Sequence, residues 1–104
     1  MVTVQDLQYH LGIDYADDMV TVNLTRALAS AERRMHGAVG SDVETYLPDD
    51  PRIDQLVLLY AAENYDERGA SAKQASVQSR IARDLEIQLR LELRAAKEAA
   101  GGGA

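Results

Sequence analysis

Ile53, Leu56, Val57, Tyr60, Ala61 and Tyr65 recur at spacings of three and four residues, which winds them onto one helix face. Asp50 stands before them as an N-cap, and Pro51 suits the first helical position, where its missing N–H costs nothing. The pattern predicts a helix over 51–68. Leu58 and Leu59 widen its apolar face beyond what one surface helix needs, so it requires cover on more than one side. Upstream, Val4, Leu7, Tyr9 and Leu11 mark a short first helix. Thr3 with Asp6 three residues on resembles a capping box, and Gly12 supplies the stop. Val20, Leu24, Ala27, Leu28, Ala31 and Met35 form the stripe of a second helix from about Asp18 to Val39. At ~1.5 Å per residue it is on the order of 30 Å long. Residues 40–50 read as a polar connector in which Tyr46 and Leu47 tuck one turn onto the core.

The last third supports two readings. From Leu85 to Arg94, apolar and polar residues alternate without error, which is the strand template. Yet its Leu, Glu, Gln, Arg, Ala and Lys all favour helix. Arg80/Asp84, Glu86/Arg90 and Arg94/Glu98 are opposite charges four apart, as helices prefer. Wound as a helix, the apolar residues from Val77 to Leu93 spread over about 240°. A long helix and an extended strand both remain open. Under either, one subunit is not expected to cover Ile81, Leu85, Ile87, Leu89, Leu91 and Leu93, which become candidate interface residues. Gly69 to Ala72 is a small-residue break that suits a hinge. The expected fold is mainly α: a three-helix core bundle over 1–69, a C-terminal arm over 70–100 and a frayed Gly-rich tail over 101–104. Deleting 76–104 is expected to leave the core folded. There is no internal repeat and no heptad pattern sustained for long.

At 104 residues the chain is one domain with room for a modest core. It has no Phe and no Trp, so the core must come from Leu, Val, Ile, Ala, Met and Tyr. Ala-rich helices bury little area each, which points toward assembly as a source of stability. The absence of cysteine rules out disulfides and thiolate metal sites. No signal peptide and no stretch of ~20 apolar residues is evident, so no membrane association is expected. The net charge of −6 lies wholly in the first half: residues 1–50 hold nine acidic and three basic side chains, residues 51–104 eight of each. Such a first half is a poor phosphate-backbone binder. It is a solvated acidic surface, or an acidic wall that lets DNA pass.

Little in the chain suggests chemistry. His10 and His36 lie in separate segments, neither with a metal-ligand partner. Asp14, Asp17 and Asp18 lack the glycine and distal glutamate of a calcium loop, and are better read as N-caps acting on a helix dipole. There is no G-x-S-x-G motif, no phosphate-binding loop and no dinucleotide fingerprint. The expectation is a protein that is not an enzyme, with no catalytic, cofactor-binding or metal-ligating residues.

The opening Val2-Thr3-Val4-Gln5-Asp6-Leu7-Gln8-Tyr9-His10-Leu11-Gly12-Ile13-Asp14, then Asp17-Asp18, the long segment Leu24 to Gly37, Asp50-Pro51-Arg52 and Tyr65-Asp66-Glu67-Arg68 occur in one order. In that order and spacing, over residues 2–69, the chain resembles the head–tail connector (adaptor) proteins of long-tailed phages. The resemblance implies a virion protein assembled in the host cytoplasm. It would form a ring of about a dozen subunits, a dodecamer, beneath the portal protein. It would extend the DNA channel without reading sequence, and offer a surface to the next head-completion, stopper or tail protein. Arg68 either sits favourably at the negative end of the helix dipole or, as the resemblance suggests, forms an ion pair to a neighbouring subunit. Tyr60 and Tyr65 are core residues whose hydroxyls reach the rim, or interface anchors. The arm, net basic through Lys73, Arg80, Arg83, Arg90, Arg94 and Lys97, would dock on the portal. The alternative is a helical regulatory module, antitoxin-like or anti-repressor-like, that binds one protein partner as a dimer. A small DNA-binding protein is disfavoured by charge.

Overall fold

Each helix predicted from the pattern begins where its cap residue stands. The computed structural model describes residues 2–13, 17–65 and 72–101, apart from the side chains of Tyr65 and residues 72–78. Helix α1 spans Val4–Leu11. The Thr3 hydroxyl accepts the Asp6 N–H at 3.1 Å and the Asp6 carboxylate accepts the Thr3 N–H at 2.9 Å. Two orphan donors are thus satisfied reciprocally. Gly12, at φ 71°, closes the helix in the left-handed region. Helix α2 spans Asp18–Val39, and Asp17 accepts the Val20 N–H at 2.8 Å. The connector makes a single turn, α3, over Val43–Tyr46. Helix α4 spans Pro51–Tyr65, with Asp50 accepting the Arg52 N–H at 3.0 Å. Helix α5 spans Ala72–Gly101.

The last third is therefore helix, and among the described residues no strand forms. The fold is mainly α, a small bundle with a long C-terminal helix. Helices α2 and α4 pack as the central pair, α1 sits against both, and α5 runs along α4, α2 and α3. The largest fully buried side chains are Tyr60, Leu7, Leu24, Met35, Leu56, Leu89 and Val43. Among the described residues no polar or charged residue is buried.

The place of α5 corrects the expectation that one subunit leaves this segment uncovered. Ala82, Leu85, Leu89 and Leu93 follow one another at three-, four- and four-residue spacing, which makes a single helix stripe. All four are buried in the same hydrophobic cluster as Leu24, Leu56 and Tyr60. The apolar surface splits by helix geometry: one stripe enters the subunit core, while Ile81, Ile87 and Leu91 stay exposed. Ala72 and Gly101, expected in the break and in the frayed tail, are instead the two ends of α5. The rest of the expected break, Gly69 to Ser71, the rest of the tail, Gly102 to Ala104, and Asp14 lie outside the described residues.

One close approach fixes where α5 crosses the end of α2. Gly40 has φ 149°, and a Cβ there would sit 2.7 Å from Leu93 Cδ2 and 3.2 Å from Asp42 Oδ1. Gly40→Ala should cost about 2–3 kcal/mol, from backbone strain together with overpacking. Gly37 lies inside α2, and a methyl group added there would meet open space. Gly37→Ala should instead gain about 1 kcal/mol by helix propensity. Urea melts of both variants check this pair; equal midpoints would show that Gly40 and Leu93 do not meet.

Candidate interaction surfaces

Three polar clusters tie α5 to the rest of the subunit and leave its outer face bare. The first begins at the start of α4. Arg52 donates to Asp50 Oδ1 at 3.0 Å and to Asp50 Oδ2 at 2.6 Å. The same guanidinium donates to Glu92 Oε1 at 2.9 Å and also reaches Glu92 Oε2 and Gln88 on α5. A planar fork suits two carboxylates at once. Hydrogen bonds from Arg52 hold Asp50 and Glu92 below the usual carboxylate range, and the two carboxylates raise Arg52 in return.

The second cluster surrounds Tyr60. Its ring is fully buried, and its hydroxyl donates to Glu86 on α5. Arg34 of α2 lies over the ring, 4.1 Å from its centroid, and pairs with Glu63 at 3.2 Å. Glu86 faces Arg90 at 3.8 Å, and Arg90 Nε donates to the Ala38 carbonyl at 2.7 Å. A cation thus meets the carbonyl end of α2, where the helix dipole is negative. The third cluster joins Lys97 to Asp42 at 2.7 Å, with the ammonium 5.8 Å from the Tyr46 ring centroid. His36 of α2 contacts Glu44 of α3.

These carboxylates give stability a defined pH dependence. Asp42 is held below its ordinary value chiefly by the hydrogen bond it accepts from Lys97, and Asp6 by hydrogen bonding from Thr3, first of all from its backbone N–H. A carboxylate with a depressed folded-state pKa binds fewer protons in the folded chain than in the unfolded one. Its contribution is present above the unfolded value and lost as pH falls through the folded value. The thermal midpoint should hold from neutrality to about pH 5 and then drop below about pH 4. Glu92→Gln should flatten part of that acid limb. Calorimetry across this range is the check, and an acid limb unchanged by Glu92→Gln would show that the Arg52–Glu92 contact carries none of it.

The candidate interface residues now separate. Tyr60, Leu85, Leu89 and Leu93 are buried within the subunit. Ile81, Ile87 and Leu91 are 40%, 47% and 62% exposed on α5. Arg68 and the Tyr65 side chain lie outside the described residues. Four further exposed apolar residues are not among those candidates: Tyr9, Met19 and Val22 on α1 and the first turns of α2, and Tyr46 at the end of α3. The spacing puts Tyr9 with the apolar residues of the first helix, yet α1 buries Leu7 alone. The Arg52–Glu92 contact spans forty positions, so no local signal in the sequence announces it. Among the described residues no group of three or more His, Cys, Asp or Glu is placed to hold a metal ion. Among them, too, no helix is long and apolar enough to cross a membrane.

Comparison with known proteins adds no relative: no family model, no curated protein and no solved structure matches the chain.

Proposed function

We propose that this protein is a virion structural adaptor of the head–tail connector type, forming a closed ring beneath a portal. The ring extends the DNA channel and presents a docking surface for the next head-completion or tail protein. Nothing is turned over; the work is done by binding geometry. The observation that carries the reading is the pair of exposed apolar sets on different elements. Tyr9, Met19 and Val22 belong to the first two helices, and Ile81, Ile87 and Leu91 to α5. A ring that closes by rotation needs two different surfaces on every subunit. The motif order over residues 2–69 supports the same reading, as does the acidic first half, which repels a phosphate backbone and lets DNA slide past.

The test is negative-stain imaging of the protein mixed with its cognate portal. The expected result is an added ring of density beneath the portal, with subunits matching the portal's symmetry. Portal particles that stay bare at saturating protein would remove the adaptor reading and favour a regulator that binds a single protein partner.

A further inference from the structure

The outer face of α5 carries a second pattern that becomes visible once the buried stripe is known. Arg80, Asp84, Ile87, Leu91, Arg94 and Glu98 follow at four-, three-, four-, three- and four-residue spacing, and all six are exposed. That spacing makes one straight seam along a helix, on the side away from Leu85 and Leu89. The seam reads plus, minus, apolar, apolar, plus, minus. Turned end for end, it is its own complement. We infer that two copies of this chain pair through the outer face of α5, antiparallel about a two-fold axis. Arg80 then meets Glu98 of the partner subunit, Asp84 meets Arg94 of the partner subunit, and Ile87 meets Leu91 of the partner subunit.

The alternatives are disfavoured by the same residues. A parallel pair in register sets Arg80, Asp84, Arg94 and Glu98 each against its own copy, four like-charge contacts. Sliding the antiparallel pair by one heptad sets Ile87 or Leu91 against a charge. One flank suits the antiparallel register and the other opposes it. On one edge lie Ile81, Gln88 and Ala95, which carry no charge and bring Ile81 against Ala95 of the partner subunit. On the other edge lie Arg83, Arg90 and Lys97, and the pairing brings Arg83 toward Lys97 of the partner subunit and Arg90 toward its own copy, like charges that weaken the contact. Two of these turn back onto their own subunit, Arg90 to the Ala38 carbonyl and Lys97 to Asp42. Within the chain Arg94 and Glu98 already pair at 3.6 Å. Both are highly exposed, and such a pair is worth little, so sharing its charges with a second copy costs little.

With three apolar side chains per copy, the contact is small, and the dimer is a dissociable one with Kd between about 1 μM and about 1 mM. The pairing does not depend on the ring. A ring is built from two different surfaces, whereas this contact uses one surface twice, so free dimers and docked rings are separate states. The experiment uses the full chain alone, without portal. Sedimentation velocity at low salt, from about 10 μM to about 1 mM protein, reads the monomer–dimer balance. Asp84→Arg and Arg94→Asp should each weaken the dimer by about tenfold or more, since each places like charges together twice. The double variant should return to within about threefold of the parent. Circular dichroism confirms that these exposed substitutions leave the fold intact. A monomer throughout, single variants that dimerise like the parent, or a double variant that fails to recover would each overturn the antiparallel pairing.

Discussion

A chain ending at residue 75 should fail to fold. This reverses what the sequence pattern suggests, because α5 is not a detachable arm. Removing 76–104 strips Leu85, Leu89 and Leu93 from the core, together with Ala82. At roughly 1.5–3 kcal/mol for each buried leucine, about 5–9 kcal/mol of apolar burial disappears. A domain of this size has about 5–15 kcal/mol of net stability in all. The same cut removes Glu86 from the Tyr60 hydroxyl, Arg90 from the Ala38 carbonyl and Glu92 from Arg52. The expected outcome is a soluble-expression loss, or a helical spectrum without a cooperative melt. A truncated protein melting cooperatively within about 5 °C of the parent would show that α1–α4 are self-sufficient.

Leu56→Asp and Tyr60→Asp should be nearly as damaging, for a different reason. Both positions have no exposure at all. A carboxylate buried there without a partner costs several kcal/mol, on top of the lost packing. Tyr60→Asp adds a specific repulsion, because Glu86 lies where the hydroxyl was bonded and becomes the neighbour of the new carboxylate. Arg34, which covers the ring, is too exposed to offset it. Melts by circular dichroism should show both variants unfolded or shifted down by tens of degrees. A parent-like midpoint in both would place this face of α4 outside the core.

Much of the fold is legible because its signals are local. The Thr3–Asp6 capping box, the Gly12 stop, the Asp17 and Asp50 caps and Pro51 each act within four residues, and each stands at the helix end it predicts. The stripe of α2 is equally plain: Leu24, Ala27, Leu28, Ala31 and Met35 are all buried. The connector does make one turn, but Val43 and the half-buried Leu47 hold it to the core while Tyr46, expected to tuck in, is exposed. The last third resists reading because its alternation fits a strand and its composition fits a helix. A period of two and a period of 3.6 coincide often enough over ten residues that neither excludes the other. The interface candidates divide unevenly for a related reason. Alternation groups Leu85, Ile87, Leu89, Leu91 and Leu93 on one side, while a helix sends Ile87 and Leu91 to the side opposite Leu85 and Leu89.

By itself, the chain determines a mainly helical protein, the ends of its first helices and the residues of the α2 and α4 stripes. It also determines a core without Phe, Trp or disulfides and an acidic first half. These follow from nearest-neighbour chemistry and composition. Only the tertiary structure decides that the last third is one of the subunit's own helices, that Leu89 and Leu93 seal the core, and that Gly40 must stay small beneath Leu93. It likewise decides that Arg52 reaches Glu92 and Tyr60 reaches Glu86. Each of these joins residues more than twenty-five positions apart, where the choice of partner depends on which apolar stripe the rest of the fold has room to cover.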